Sequence, residues 1–385
     1  MFRVLVACYG KWDTCSELPY ILKKGGCTVD IFCAPDSWLL ANSYYDNWID
    51  AGIGDLIYKE RLVDLVANVK YDWVVLGDDL LINFMNKQIV EKELFLKLLP
   101  LIKIENRQML SSKIGLSNFC IANQIDTPGF LIYNSKDDLE KIQLQLNFPI
   151  VNKLDFSFGG TDMFISRSFE EFQLRLHEIP ENNYVLIQEF IEGEEIPVEA
   201  LFYKGELVTY FSANVLQYST TSFSYTTRRK YYNNEALRPI LINLGKILGL
   251  NGFANMLYIY HSKTNKYYLI EVDPRPNSWM ASSKQLSKND FSAGVKRIVN
   301  GDYLNGYQGM NLKKPEIELA LFYKDFRRAL WNKDTKAIAR WVFNLNRYWR
   351  LLPFYDMKLS KRIFTEIWNQ IIVYKWNRLK AKVIH

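Results

Sequence analysis

Short apolar runs separated by polar turns organise the first third of the chain. Residues 2–8 and 27–33 are near-continuous apolar runs, with an amphipathic stretch over 17–24 and Gly25-Gly26 between them. Such runs predict buried strands around a helix. A helical stretch over 61–69 and an apolar run over 73–76, closed by Gly77-Asp78-Asp79, repeat the alternation. Strand–helix–strand order of this kind predicts a small parallel α/β sheet covered by helices. Beyond it, 106–123 is amphipathic and stops before Thr127-Pro128-Gly129. Ser135 resembles an N-cap opening a helix to about 146. Strand patterns follow at 130–133, 150–153, 163–165, 185–190, 198–203 and 207–211, then a helix over 234–248. Residues 253–260 and 267–272 read as a hairpin, and the last 75 residues as mainly helical.

At 385 residues, 49% of them apolar and 23% charged, the chain is too long for one ordinary core and too apolar for disorder. No uninterrupted apolar run reaches the ~18 residues of a spanning helix. Residues 2–8 are too short an apolar run for a signal peptide, and Lys11, Trp12 and Asp13 stand where cleavage would occur. A cytoplasmic protein is expected. Four of the five cysteines fall in the first 33 residues without a CxxC pair, and there are three histidines. That argues for buried reduced thiols and against zinc. The net charge of +6 is uneven: 311–385 holds 17 Lys+Arg against 6 Asp+Glu, and half of the ten tryptophans. The basic character belongs to the tail, so no nucleic-acid partner is expected.

The chemistry concentrates between 149 and 277. Lys153 closes an apolar strand, and Ser157-Phe-Gly-Gly-Thr161 follows it. A lysine at a strand end reaches phosphates, and glycines let backbone N–H groups approach them. A Gly-Gly pair is also an ordinary tight turn. In Val185-Leu-Ile-Gln-Glu-Phe-Ile-Glu-Gly-Glu-Glu195 a free strand edge suits an adenine, and Glu195 suits a ribose; a solvated acidic turn is the alternative. Glu271 and Asp273 flank Val272 near the end of an apolar strand, so both point to one face. Two adjacent carboxylates repel unless a cation lies between them, and hard oxygen donors suit Mg²⁺. Arg275, between two prolines, adds a fixed positive charge; a salt-bridged strand end is the plainer reading. Neither G-x-G-x-x-G nor a Walker A loop is present, so dinucleotide and P-loop sites are excluded. A phosphate cation, a nucleoside edge and metal carboxylates in this order point to ATP with magnesium.

These motifs resemble the ATP-grasp superfamily, over roughly 106–283. The strand lysine with its glycine loop, the "EFIxGxE" strand and the "ExDPRPN" ending stand in the family's order. Lys113, 15 residues before Pro128, resembles the family's first ATP lysine. The resemblance implies an ATP-grasp fold, two α+β subdomains clamping ATP. A small parallel α/β domain would precede it and a mainly helical extension follow it. The corresponding domains are 1–105, 106–184, 185–305 and 306–385. It implies that Lys113 and Lys153 contact ATP phosphates, with Gly159, Gly160 and Thr161 in the phosphate loop. Gln188, Glu189, Phe190 and Ile191 would line the adenine pocket, and Glu195 would hold the ribose. Glu271 and Asp273, with Asn255 on the preceding strand, would bind Mg²⁺ or Mn²⁺. The family usually carries an acid at the Asn255 position and asparagine at Asp273, a swap that keeps ligand count and charge. Arg275 would stabilise the transferred phosphoryl group.

The implied activity is an ATP-dependent ligase that activates a carboxylate as an acyl phosphate for capture by an amine. Two alternatives stay open: an ATP-grasp phosphotransferase and a non-catalytic nucleotide-binding regulator. Small-molecule carboxylate and amine substrates are expected. Arg228, Arg229 and Lys230 are candidates for holding the carboxylate, since arginine forks match it bidentately, with a basic strand edge as the alternative. In 359–384, Ile363, Ile367, Ile371 and Tyr374 recur at helical spacing beside Trp368, Trp376 and six basic residues. Such a helix packs on the body of the protein or lies in an anionic membrane interface.

Overall fold

The computed structural model describes residues 1–134, 139–157, 163–176, 183–305, 309–343 and 352–383. Gly159, Gly160 and Thr161 lie outside them. In the closing helix, side chains are described to Asn369 and at Ile372.

The apolar runs at the start form the expected parallel sheet. It comprises β1 (Arg3–Ala7), β2 (Thr28–Cys33), β3 (Asn47–Asp50) and β4 (Trp73–Leu76), in the order β3-β2-β1-β4. β1 and β4 are buried on both faces, which is why they read as continuous hydrophobic runs. β3 carries mostly exposed residues and lies at the edge, so it gives no such signal. The helix expected over 61–69 begins earlier, at Asp55–Asn68.

A second, antiparallel sheet holds β5 (Phe130–Tyr133), β6 (Ile150–Leu154), β7 (Met163–Ser166) and β8 (Val185–Glu189), in the order β5-β8-β6-β7. It has its own small core, including Ile142, Ile150, Phe172 and Ile187. β8 pairs with both β5 and β6, so the boundary expected between 184 and 185 falls inside this sheet and moves past Glu189. The amphipathic stretch 106–123 is not one helix. A 3-10 turn, Ile104–Met109, gives way to a helix at Lys113–Ala122, because Ser111 takes a positive φ and Ser112 caps the new start.

The third sheet is six-stranded and antiparallel, with β9 (Glu194–Tyr203), β10 (Glu206–Tyr218), β11 (Thr226–Tyr232), β12 (Gly252–His261), β13 (Lys266–Asp273) and β14 (Glu316–Ala320). Its order is β13-β12-β9-β10-β11-β14. β14 comes from the tail expected to be helical; it completes the sheet edge through backbone pairing with β11. The first and third sheets share one continuous core, in which the Trp73 ring stacks on Phe253 at 5.6 Å. The closing helix, Met357–Val383, buries Leu359 and Ile367, and Leu359 meets Trp38 of the N-terminal domain.

Candidate active site

The two lysines come from the small sheet and the helix beside it. Lys153 sits near the end of β6, buried, with its ammonium donating to Gln188 Oε1 at 2.7 Å on β8. Gln188 in turn donates to Ser117 Oγ at 3.4 Å on the Lys113–Ala122 helix. Gln188 thus orients the lysine through its side chain. Lys113 opens its helix and donates to Ser157 O at 2.9 Å and Ser157 Oγ at 3.2 Å. Asp155, two residues past Lys153, locks that helix start, accepting from Ser112 Oγ and Ile114 N at 2.8 Å each.

The acids come from the large sheet. β12 and β13 pair Asn255 with Asp273, and Leu257 with Glu271, so the two carboxylates and the Asn255 amide share one sheet end. Asn255 Nδ2 donates to Asp273 Oδ2 at 3.3 Å. The neighbouring Asp273 charge, then burial, push the Glu271 carboxyl up to about 7, against the pull of Lys113 and Lys153. Burial brings Lys153 down to about 8, opposed by the nearby Glu271 and helped by Lys113; Glu195 also acts to raise it. Lys153 on the small sheet and Lys113 on the helix beside it therefore lie near enough to Glu271 on the large sheet for their charges to interact. Glu195, on β9, is itself raised by burial, while Tyr218, Arg229 and Lys153 draw it back.

Arg275 is clamped from two sides. Its Nη2 donates to Asp273 Oδ2 at 3.0 Å, and its Nε lies 2.5 Å from Asp79 Oδ2 in the N-terminal domain. Burial works against its charge, but Asp79, Asp273 and Glu271 more than offset that and its pKa is raised. Asp79 begins the helix Asp79–Gln88, directly after β4. Burial moves its carboxyl up to about 6 despite Arg275.

A third group lies next to these. Glu199 on β9 is 1% exposed and is bonded to Arg229 Nη1, Tyr231 OH and Asn277 Nδ2. Asn277 also donates to Asn255 Oδ1 at 2.9 Å. The Arg229 guanidinium lies over the Trp279 ring, 4.4 Å from its centre.

Of the three basic residues expected to hold a carboxylate, only Arg229 is brought here, and Glu199 already occupies it. Arg228 turns to Asp325 (3.5 Å) and Glu318 (4.0 Å), and Lys230 pairs with Glu316 at 3.2 Å. Alternate residues of a strand face opposite ways, and β11 puts these two away from Glu199. In the expected adenine segment, the amides of Glu189 and Phe190 are already bonded to Gly129 O (2.8 Å) and Pro149 O (3.0 Å). Ile191 is the first residue beyond those bonds. Asp79, Asp155 and Glu199, none of them among the residues expected from the sequence, join these groups. Asp79 follows Gly77-Asp78, a visible strand-end signal; Glu199 lies in an unbroken β9 run, and nothing local marks it.

Among the described residues no three His, Cys, Asp or Glu side chains converge as a metal cluster. The donor set is Glu271, Asp273 and the Asn255 amide. That suits Mg²⁺, which takes one or two carboxylates and completes its shell from phosphates and water. The mutual repulsion that raises Glu271 is the feature a divalent cation relieves.

Residues 110–278 match the family model described as ATP-grasp domain. Over 179 residues the chain is 28% identical to a carbamoyl-phosphate synthase of Methanobrevibacter smithii, covering 44% of this chain and 47% of that protein. A carbamoyl phosphate synthase large chain of Saccharolobus solfataricus is 24% identical over 271 residues, 66% of this chain and 25% of the relative. The chain spans half or less of these curated relatives. Its fold is similar to N5-carboxyaminoimidazole synthetase from Staphylococcus aureus complexed with ADP, with TM-score 0.65, 14% identity and 86% of each chain covered. It is also similar to an L-amino acid ligase from Bacillus licheniformis, with TM-score 0.56, 16% identity, and 79% of this chain and 74% of that one covered.

Proposed function

We propose, from the premise that residues 110–278 are an ATP-grasp domain, that this chain is an ATP-dependent carboxylate–amine ligase. One observation carries the reading: Lys113 and Lys153 lie near enough to Glu271 to act on its charge, while Asp273 stands beside Glu271 and is bonded to Arg275. That is a pair of cations for a polyphosphate facing a pair of acids for its metal.

In this reading Lys113 and Lys153 hold the phosphates, with Gly159, Gly160 and Thr161 in the connecting loop. Gln188 orients Lys153, Glu189 to Ile191 border the adenine, and Glu195 faces the ribose. Glu271, Asp273 and Asn255 hold Mg²⁺ or Mn²⁺, which when bound neutralises phosphate charge. A substrate carboxylate oxygen attacks the γ-phosphorus and ADP leaves, with Arg275 facing the charge on the transferred group. The amine nitrogen then attacks the acyl carbon: a C–N bond forms, the C–O bond to phosphate breaks, and the nitrogen sheds a proton. Such a reaction asks the protein for positioning and charge rather than for covalent catalysis.

ADP release against pooled carboxylates and amines tests the reading. Turnover that needs both is expected, with hydroxylamine trapping an acyl hydroxamate. Phosphorylated product without hydroxamate would make the chain a phosphotransferase. Nucleotide binding without turnover would make it a regulator.

The partner and compartment readings rest on separate observations. All five cysteines are free and buried, which suits a reducing cytoplasm. No helix among the described residues is long and apolar enough to cross a membrane. The closing helix nevertheless exposes Phe364, Trp368 and Ile372 in one row. At about 100° per residue this row lies roughly 140° from the Leu359, Ile363 and Ile367 row that faces the protein. One row packs, and the other, in a tail of strongly positive charge, suits an anionic lipid surface. Salt-sensitive co-sedimentation of the full-length protein with anionic vesicles is expected. Its absence would leave the helix as packing alone.

A further inference from the structure

We propose that Lys87, in the N-terminal domain, is a positioning residue for Lys113 and Lys153, acting by holding the Phe156 ring in place. This role rests on the nucleotide site proposed above and is independent of the acceptor that site serves.

The helix Asp79–Gln88 touches both sides of the cleft between the sheets. At its start Asp79 meets Arg275, two residues past the end of β13. Near its end the Lys87 ammonium lies over the Phe156 ring, 4.6 Å from the ring centre. Eight residues of helix separate these two contacts by about 12 Å. The same helix end is tied to the turn Ile104–Met109. Arg107 donates from Nε to Asn86 Oδ1 at 3.2 Å and from Nη2 to Ile89 O at 2.8 Å, and Asn86 Nδ2 donates to Arg107 O at 3.1 Å. That turn lies against the start of the Lys113–Ala122 helix, where Gln108 O faces Gly115. One helix therefore links Arg275 to the lysine side of the cleft by two routes, through Arg107 and through Phe156.

The second route reaches the phosphate lysines at their anchors. Phe156 lies three residues past Lys153, between Asp155 and Ser157. Asp155 fixes the start of the Lys113 helix at Ser112 and Ile114, and its own N–H donates to Tyr184 O at 3.1 Å. Ser157 accepts from the Lys113 ammonium through both its backbone and side-chain oxygens.

The Phe156 ring itself is 46% exposed, so no core holds it. The face of an aromatic ring is electron-rich and attracts an ammonium group. The Lys87 ammonium makes no ion pair or hydrogen bond among the described residues, which leaves the ring as its partner. A ring held by Lys87 keeps Asp155 and Ser157, and with them Lys113 and Lys153, at a set distance from Arg275.

Titration calorimetry on the full-length protein tests this, with Mg-ATP as one probe and adenosine as the counterpart without phosphates. Lys87→Ala is expected to weaken Mg-ATP by about two- to fivefold, the worth of an exposed cation–π contact, and to leave adenosine unchanged. Lys87→Arg, which keeps a cation over the ring, should bind Mg-ATP as the parent does. Phe156→Leu should cost as much as Lys87→Ala, and the two together no more than either alone. Losses that add in the double variant, or that fall equally on Mg-ATP and adenosine, overturn the positioning role. So does a Lys87→Ala protein that binds Mg-ATP like the parent while Lys153→Ala weakens it; that outcome keeps the nucleotide site. Mg-ATP binding indifferent to Lys153→Ala would instead refute the nucleotide site, and the role of Lys87 with it.

Discussion

Lys153 and Glu271 show how the charge of single residues is set by burial and by each other. Lys153→Ala removes a buried cation whose side chain contacts Gln188 rather than the core. ATP turnover should fall by about 10²–10³, the usual cost of one preorganised charge-stabilising group, with the fold intact. Unchanged turnover with an unchanged melting temperature would remove it from the site. Glu271 gives a pH prediction. Its carboxyl binds its proton more tightly in the folded chain, so between about 4.5 and about 7 its contribution to stability falls as pH rises. A divalent cation beside Asp273 offsets that loss. MgCl₂ should therefore raise Tm well above pH 7 and do so much less near pH 5. Glu271→Gln should erase the difference, and calorimetric scans at both pH values read it directly.

Elements carry these residues into place through contacts with little slack. The helix Lys113–Ala122 approaches the Ile104–Met109 turn so closely that a methyl group on Gly115 would lie 1.9 Å from Gln108 O. Gly115→Ala cannot be absorbed by a flexible side chain, because the obstacle is backbone. We expect a loss of at least about 1–3 kcal/mol in denaturant titration, as overpacking of this kind costs. KM for ATP should also rise, since Lys113 begins the displaced helix. A variant with parent stability and parent KM would show that the helix is free to move.

At the scale of the whole molecule, the N-terminal domain enters the site through the Asp79–Arg275 ion pair. Asp79 is fixed by its place at a helix start, and Asp78 before it caps that helix by accepting from Leu81 N at 2.9 Å. Asp78 also accepts from Tyr9 N at 2.7 Å and Gly10 N at 3.0 Å, in the loop after β1. Asp79 is thus a positioning residue, acting through Arg275. Its carboxyl, pushed up to about 6, is charged above that pH and loses the ion pair below it. Asp79→Asn should lower kcat by about tenfold, within the worth of one buried charge-assisted bond, with KM for ATP little changed. The acid limb of the kcat–pH profile near 6 should also disappear. An unchanged limb would assign that titration to another group.

The strand ends and the residues they carry are legible in local sequence. Lys153 after an apolar run, Glu271 and Asp273 two apart, and Arg275 between prolines all follow from period-two alternation and local turn chemistry. So do the parallel sheet of the N-terminal domain and the β12–β13 hairpin, whose partners are close in the chain. Which distant groups meet them depends on long-range packing. Asp79 reaches Arg275 from 196 positions away, and Glu199 meets Arg229 and Asn277 across separate strands. β8 joined the small sheet and β14 the large one by backbone pairing, which leaves no side-chain pattern to read. The same reason explains Arg228 and Lys230. Composition shows three neighbouring cations, but the register of β11 against β10 and β14 decides which of them faces Glu199.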